Sequence, residues 1–264
     1  MSFFSAENIS AGYQGRNVVH QISFTVEKGE LVGILGGNGS GKTTLLKAVC
    51  GILRHEGSCA LNGQKLEKLS AKALAGYVSY IPQRSGISID ISALDVVLMG
   101  FNPQLGLLER PNNAMLAAAM QALERVGLAG KEHTNYLCLS EGQKQLCILA
   151  RTLVSGSRLL LLDEPESALD FRFRHEMLFL IRSWLSEADR CGIVTLHDPI
   201  LALNHCDRLL LLSQGELMGI IRPKSDPLDN MEKLLENIYG NVALLRCKNH
   251  SGLEQLVMLK EGSS

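Results

Sequence analysis

The chain has 264 residues, of which 46% are hydrophobic, so it can bury the core of one large domain or of a domain with a subdomain. Its formal net charge of −1 excludes a general electrostatic attraction to nucleic acid. Seven cysteines occur without a Cys-x-x-Cys pair, and this odd number favours a reduced compartment over a disulfide framework.

The N-terminal region shows no pattern for export. Residues 1–7 lack a basic region followed by an apolar stretch. No apolar run in the sequence approaches the roughly 20 residues that a membrane span needs. We therefore expect a cytosolic chain that reaches a membrane only through a partner.

Residues before position 36 predict strands. Ile22, Phe24 and Val26 alternate with polar residues and precede a turn at 28–30, which indicates an antiparallel sheet. The continuous apolar run 31–35 instead predicts a strand covered on both faces, as in a parallel sheet.

A glycine-rich loop follows that strand. Residues 36–43 fit the pattern of a glycine, four residues and Gly-Lys-Thr, and a helix is predicted over 43–52. Glycines let backbone N–H groups approach a phosphate, and the helix N-terminus adds positive charge. Lys42 is expected to reach the β- and γ-phosphates, and Thr43 to offer a hydroxyl to Mg²⁺. The predicted nucleotide-binding residues are Gly36, Gly37, Asn38, Gly39, Ser40, Gly41, Lys42, Thr43 and Thr44. The order of strand, loop and helix disfavours a chance glycine-rich turn.

The middle of the chain, about residues 92–156, is predicted to be a helical insertion between strands of the nucleotide-binding sheet. Strand candidates at 58–62 and 77–81 precede it. Asn113 is the expected N-cap of the second helix, and Gly127 is expected to close that helix. The predicted helices are 93–99, 113–126 and 141–154, with a Pro/Gly loop at 101–111.

After the insertion the pattern is that of an α/β core. Strands are predicted at 159–163, 192–196 and 208–212, and a helix at 171–189. A short C-terminal helix through Ile238 is predicted to have Asp226 as its N-cap and Pro227 at its first position. Segments 242–247 and 256–259 predict a terminal hairpin.

Two acids at the end of the strand 159–163 restrict the chemistry. There Asp163 can hold Mg²⁺ through water, and Glu164 can polarise an attacking water. The alternative is a strand that ends in a solvated acidic turn. The sequence contains no Asn-Lys-x-Asp motif, which disfavours a GTPase, whereas small-molecule kinases and other ATPases stay open.

The segment 139–143, Leu-Ser-Glu-Gly-Gln, resembles the Leu-Ser-Gly-Gly-Gln signature of the ATP-binding cassette family. Other family elements match in order and approximate spacing. They are the adenine-stacking aromatic (Tyr13), the Q-loop glutamine (Gln83), the D-loop at 167–170 with Asp170, and the switch histidine (His197). Without the resemblance, Tyr13 would be an ordinary sheet residue and His197 a partly buried histidine.

The resemblance implies that two such subunits pair head to tail, so that the signature of each closes over the γ-phosphate bound by the other. Ser140 and Gly142 lie at the start of a predicted helix, where an anion is favoured. The implied signature residues are Ser140, Glu141, Gly142 and Gln143; the catalytic ones are Glu164, His197, Gln83 and Lys42; and the metal ligands are Thr43, Gln83 and Asp163.

Three positions depart from the family pattern. Glu141 replaces the first glycine of the signature and brings a carboxylate near an arriving phosphate, so we expect its side chain to point outward. Glu166 stands where many relatives have Thr, and Gly37 where many have Pro. These two changes are expected to alter loop stiffness.

A narrower similarity concerns importers of iron-siderophores, haem and vitamin B12. It rests on segments 97–103, 106–107, 110–111, 197–199, 201–203, 206–208 and 238–240. This similarity implies a nucleotide-binding subunit that uses ATP and Mg²⁺ at the cytoplasmic face of a membrane. The implied partners are a second ATPase subunit, expected to be identical, and a separate permease seated near residues 83–106. A substrate-binding protein is implied as an indirect partner. The insertion can also be a packed helical lid. A soluble cassette ATPase with a scaffold or cofactor-assembly role, and a small-molecule kinase, remain as alternatives.

The expected fold is therefore α/β, a P-loop NTPase core with a mainly parallel sheet, an N-terminal antiparallel β subdomain and an inserted helical subdomain. We predict one domain over residues 1–264. Its core covers about 1–91 and 157–220, its helical subdomain about 92–156, and its C-terminal helix and hairpin about 221–264.

Overall fold

The computed structural model describes residues 2–83, 86–106, 108–167, 169–187, 189–250 and 252–260. Within these ranges the strands are β1 (Phe4–Tyr13), β2 (Arg16–Val26), β3 (Leu31–Leu35), β4 (His55–Leu61), β5 (Gln64–Lys65), β6 (Val78–Ile81), β7 (Leu159–Asp163), β8 (Cys191–Thr195), β9 (Arg208–Ser213), β10 (Glu216–Ile221), β11 (Val242–Lys248) and β12 (Glu254–Lys260). The helices are α1 (Lys42–Val49), α2 (Ala71–Tyr77), α3 (Ala93–Leu98), α4 (Asn113–Arg125), α5 (Glu141–Val154), α6 (Phe171–Ser186), α7 (Pro199–His205) and α8 (Leu228–Tyr239).

Two main sheets organise these elements. One is antiparallel, in the order β2-β1-β4-β5. The other has the order β10-β9-β3-β8-β7-β6 and is parallel except for β10, which runs antiparallel to β9. Strands β11 and β12 form the predicted terminal hairpin. The predicted α/β fold, with an antiparallel N-terminal sheet and helices α3 to α5 inserted between β6 and β7, is confirmed.

The larger sheet is covered on both faces. Leu160 and Leu162 of β7 pack into one core, beneath the inserted helices and α6. Leu159 and Leu161 face the opposite way and pack into a second core, with α1 and the antiparallel sheet. Because successive side chains of a strand alternate between faces, burial on both sides requires a continuous apolar run.

Several short elements lie outside the predicted ones. Helix α2, helix α7 and strand β10 were not expected from sequence. Helix α7 begins directly after Asp198, whose carboxylate accepts hydrogen bonds from the backbone N–H groups of Ile200 and Leu201 at 2.9 and 3.2 Å. Each of these elements has only six or seven residues, too few for a periodic pattern to stand out.

Two predicted caps are wrong. The N-cap of α4 is Asn112, whose Oδ1 accepts from the backbone N–H of Met115 at 2.9 Å, and Asn113 is the first helical residue. Asp226 does not cap α8, because its carboxylate accepts from the backbone N–H of Arg222 at 2.7 Å. Pro227 takes the cap position instead.

Helix α6 ends at Ser186, whereas the sequence predicted that this helix would extend to Asp189.

None of the helices within the described ranges combines the length and the apolar character that crossing a membrane requires. The subdomain boundaries given above stay a prediction.

Candidate active site

The phosphate loop, residues 36–43, follows β3, runs past strands β2 and β9, and includes the first two residues of α1. Gly41 has φ of +102°, and a Cβ there would lie 2.6 Å from Cγ1 of Val19. A Cβ on Gly36 would lie 2.4 Å from the carbonyl oxygen of Leu212. Only glycine fits these positions. The hydroxyl of Ser40 is buried without a hydrogen-bond partner among the described residues, so an oxygen of a bound phosphate fits there.

Lys42 lies across this loop. Its side chain is 5% exposed, and its ammonium donates to the carbonyl oxygens of Gly36 and Gly37 at 2.8 and 3.3 Å. Residues 37–39 are exposed, whereas Thr44 is buried in the first turn of α1. The backbone of residues 37–39 is therefore accessible to a ligand, and the ammonium group of Lys42 supplies a positive charge beside it.

Three hydroxyl groups hold the carboxylate of Asp163 at the end of β7. Thr43 and Thr195 donate to Oδ1 at 3.0 and 2.9 Å, and Tyr80 donates to Oδ2 at 3.0 Å. Burial raises the pKa of Tyr80, and the charge of Asp163 raises it further, so the phenol stays a donor. Thr43 and Asp163 were predicted from motifs, whereas Tyr80 and Thr195 were not.

Glu164 is the centre to which the predicted catalytic residues converge. Its Oε2 accepts from Gln83 Nε2 at 2.8 Å and lies 2.8 Å from His197 Nε2. Its Oε1 lies 3.8 Å from the ammonium of Lys42. The residue is 8% exposed and has φ of 49°, an uncommon conformation for a side-chain-bearing residue that aims its carboxylate across the loop.

Gln145 connects the inserted helices to this centre. It lies in α5, is 7% exposed, and its side-chain amide donates to the backbone carbonyl of Gln83 at 2.7 Å. Sequence reasoning missed it. A glutamine at a buried position of a helix is the signal that was available.

Glu166 is a second buried acid next to the centre. It is 2% exposed, and its Oε1 accepts from the backbone N–H of His197 at 2.9 Å. Its Oε2 is buried without a hydrogen-bond partner in the described part of the chain. Burial raises the pKa of this carboxyl group. The departure from Thr at this position therefore places a carboxyl group against the switch-histidine segment, a contact that the sequence did not reveal.

The donor set suits a hard divalent cation. Thr43 offers a hydroxyl and Asp163 a carboxylate, with the two oxygens 3.0 Å apart. The side-chain nitrogen of Gln83 donates to Glu164, so the oxygen of the same amide is the atom that would serve as a metal ligand. Oxygen ligands of these kinds are what Mg²⁺ prefers.

The signature residues lie at the N-terminus of α5. Ser140 is the N-cap and forms a reciprocal capping box with Gln143, at 3.3 and 3.2 Å. Glu141 has a side chain that is 73% exposed and forms an ion pair with Lys144 at 2.7 Å. The four signature residues 140–143 and Asp170 line a pocket of about 360 Å³.

The signature and the phosphate loop do not meet within the chain. No hydrogen bond or ion pair between described residues joins 140–143 to 36–43. Asp170 caps α6 by accepting from the backbone N–H of Phe173 at 3.0 Å, and its D-loop neighbour at 168 lies outside the described residues. Tyr13 ends β1 and is 47% exposed.

Comparison with known proteins identifies the family. The sequence model of the family described as "ABC transporter" matches residues 19–167. The hemin import ATP-binding protein of Deinococcus radiodurans is 38% identical over 222 residues, which cover 82% of this chain and 83% of that protein. A protein of Helicobacter pylori named "Probable iron chelatin transport ATP-binding protein" is 34% identical over 213 residues, covering 80% of this chain and 84% of that one.

A solved structure shows the same architecture. It is a transporter described as "metal-chelate type", in an inward-facing conformation, with a TM-score of 0.82 and 26% identity over 99% of both chains. The match of the family over more than half of the chain agrees with the phosphate loop, the paired acids and the signature. The chain therefore belongs to the ABC transporter family and is an ATPase of that family.

Proposed function

We propose that this chain is the ATP-hydrolysing subunit of an importer for a metal chelate such as haem or an iron-siderophore. The catalytic part of this proposal rests on Glu164, whose carboxylate lies close to Lys42, Gln83 and His197. The substrate class is supported by the relatives named for hemin import and iron chelatin transport and by the transporter of metal-chelate type.

ATP is proposed to bind with its β- and γ-phosphates over the phosphate loop. The ammonium of Lys42 then exchanges the carbonyl oxygens of Gly36 and Gly37 for phosphate oxygens. Thr43, Asp163 and Gln83 are the proposed Mg²⁺ ligands. When bound, the cation neutralises charge on the β- and γ-phosphates. Tyr13 is the proposed adenine platform.

Glu164 is the proposed general base. It takes a proton from water as the water oxygen bonds to the γ-phosphorus and the bond to the β-phosphate oxygen breaks. Gln83 and His197 hold this carboxylate at 2.8 Å each, so its orientation is set before the nucleotide binds. His197 is 48% exposed in its side chain, which leaves it able to reach the γ-phosphate as well.

A second copy of the chain is proposed to complete the site. Ser140 and Gly142 lie at an exposed helix N-terminus, where an anion is stabilised, and no hydrogen bond or ion pair of the described residues joins them to the phosphate loop of the same chain. Asp170 borders the same pocket, and we propose that it contacts the opposing subunit. Head-to-tail pairing brings each signature to the γ-phosphate of the partner.

The permease is proposed to bind near residues 83–106, at the cytoplasmic face of the membrane, and to receive its substrate from a capture protein. Gln83 contacts both Glu164 and, through its backbone, Gln145 of the inserted helices. A change at the γ-phosphate can therefore reach the helical insertion through a short series of hydrogen bonds. Part of the proposed docking segment lies outside the described residues.

The test is uptake of labelled iron-siderophore and haem in cells that lack this chain, complemented with wild type, Glu164→Gln or Glu216→Gln. Glu216 is an exposed acid on β10 and serves as the matched control. We expect wild type and the control to restore uptake of one chelate class and Glu164→Gln to fail. Detergent extraction should co-purify a multi-span permease with the tagged chain.

If cells that lack the chain still take up every tested chelate, and no permease co-purifies with the tagged chain, the import proposal is contradicted. That result would favour the scaffold alternative. The ATPase assignment stands apart from that outcome, since it is measured on the purified chain by phosphate release.

A further inference from the structure

A second group of chemically active side chains lies away from the nucleotide site. His55 and Cys59 belong to β4, and Glu67 lies in the turn that follows β5. One ligand atom of each lies within 4.8 Å of the other two. Within the described residues, no other group of three His, Cys, Asp or Glu side chains comes together in this way. The ATPase mechanism uses none of the three.

An irregularity in the pairing of β4 with β1 accompanies this proximity. Four residues of straight strand span about 13 Å, which would keep the side chains of His55 and Cys59 apart. Between them Gly57 has φ of +91°, and its pairing with β1 is irregular. A Cβ on Gly57 would lie 2.3 Å from the carbonyl oxygen of Glu7, so glycine is required for this bend. The strand therefore turns both side chains toward Glu67.

We propose that His55, Cys59 and Glu67 bind a divalent transition-metal ion of the Zn²⁺ class. Thiolate, imidazole and carboxylate are the three ligand types that Zn²⁺ takes from proteins, and water completes a tetrahedral set in a site with three protein ligands. Bond lengths of about 2.0 to 2.3 Å place the ligand atoms roughly 3.3 to 3.7 Å apart. His55 Nε2 and Glu67 Oε1 are already 3.9 Å apart.

Burial and charge agree with this site. The side chains of His55 and Glu67 are 8% and 34% exposed, and Cys59 is 1% exposed. Glu67 also accepts a hydrogen bond from the backbone N–H of Cys59, which holds its carboxylate over the thiol. One thiolate and one carboxylate balance the two positive charges of the ion, so the bound site is neutral and its burial costs less than that of an unbalanced ion.

An open pocket provides a route for the ion. It has a volume of about 500 Å³ and is lined by all three proposed ligands and by Val49 and Gly51, at the end of α1. Ion binding would link β4 to the turn at residues 66–68 beside the helix that follows the phosphate loop. We therefore expect a stabilising role for the metal, separate from ATP hydrolysis.

Titration of the metal-free, nucleotide-free protein with Co²⁺ tests the proposal, because a cobalt–thiolate bond has its own near-ultraviolet absorption. We expect one equivalent to bind with that absorption and to be displaced by Zn²⁺. The absorption should disappear in Cys59→Ser, and affinity should fall at least about tenfold in His55→Ala and Glu67→Gln. Cys147→Ser, at a buried cysteine of α5, is the matched control and should bind like wild type.

Absence of the thiolate absorption in the wild type, or its persistence in Cys59→Ser, would overturn the proposal. Phosphate release by each variant reports whether the chain is folded. If Cys59→Ser does not fold, Glu67→Gln tests the proposal instead, because the side chain of Glu67 is partly exposed and its substitution should be tolerated. Wild-type affinity for the metal in Glu67→Gln would also overturn the proposal. A rise in melting temperature with Zn²⁺ is expected for the wild type and absent in Glu67→Gln.

Discussion

The phosphate-loop region and the signature region are both helix N-termini that favour anions, yet they are built differently. Around α1, the acids at the end of β7 are held by hydroxyl, amide and ammonium groups. At the start of α5, Ser140 and Gln143 cap only each other, and Glu141 extends into solvent. The first region is organised without a ligand, whereas the second has its anion-binding groups exposed.

This difference supports the proposal that hydrolysis depends on subunit pairing. Lys42, Glu164 and the loop backbone lie on one chain and can bind nucleotide there. Within the described part of the chain, no hydrogen bond or ion pair joins the N-terminus of α5 to the phosphate loop. Substitutions on the two sides should therefore separate ATP binding, hydrolysis and pairing.

Glu164→Gln should have the largest effect. Gln cannot accept the proton from the attacking water, so turnover should fall by about 10²-fold or more, whereas ATP affinity should change little. Single-turnover phosphate release and equilibrium binding of a fluorescent ATP analogue measure the two quantities. Unchanged turnover would remove Glu164 from the role of general base.

Ser140→Ala should have the next largest effect, and it tests the signature side alone. We expect about tenfold slower turnover from the loss of a hydrogen bond to the transferring phosphoryl group in the partner's site, with nucleotide binding to a single subunit unchanged. The substitution also removes a helix cap, worth about 1 kcal/mol.

Ser92→Ala is the control for that loss, because Ser92 forms the same reciprocal capping box on α3. The two variants should lose similar stability in urea titrations, but only Ser140→Ala should lose turnover. Equal losses of turnover would show that Ser140 acts only through the helix.

Glu141→Gly should have a small effect. The carboxylate is 73% exposed and paired with Lys144, and exposed pairs are worth at most about 1 kcal/mol, so turnover should change by less than about fivefold. A gain above about tenfold in the steady-state rate would show that the acid opposes the arriving phosphate. Lys144→Gln, which frees Glu141, should then lower the rate.

Glu166→Gln should change mainly the pH dependence of stability. Burial raises the pKa of Glu166 in the folded chain, so the folded state binds more protons than the unfolded state between the ordinary and the raised pKa. The protonated Glu166 therefore makes its whole contribution to the free energy of unfolding below its ordinary pKa. This contribution is lost as pH rises through the raised pKa. Melting temperatures from pH 5 to 8 should fall less in Glu166→Gln than in wild type, and parallel curves would contradict this assignment.

The nucleotide-site residues that were predicted without the family resemblance lie in contiguous motifs. Lys42 and Thr43 lie in one loop, and Asp163 and Glu164 end one apolar strand. The groups that hold these acids come from neighbouring strands. Tyr80 pairs beside Leu161, and Thr195 pairs beside Asp163, in registers that are set by sheet packing. A linear pattern does not contain those registers, so both residues were missed.

The sequence by itself determined the α/β fold, the phosphate loop, the acid pair and the bounds of α5, because each depends on residues close together in the chain whose spacing has a direct steric or polar reason. Only the tertiary structure decided which side chains meet across strands. In the folded chain, Glu166 accepts a hydrogen bond from the backbone of His197, and Gln145 donates one to the backbone of Gln83. His55, Cys59 and Glu67 lie close together. These contacts depend on strand order and register, which are set by burial of the whole core.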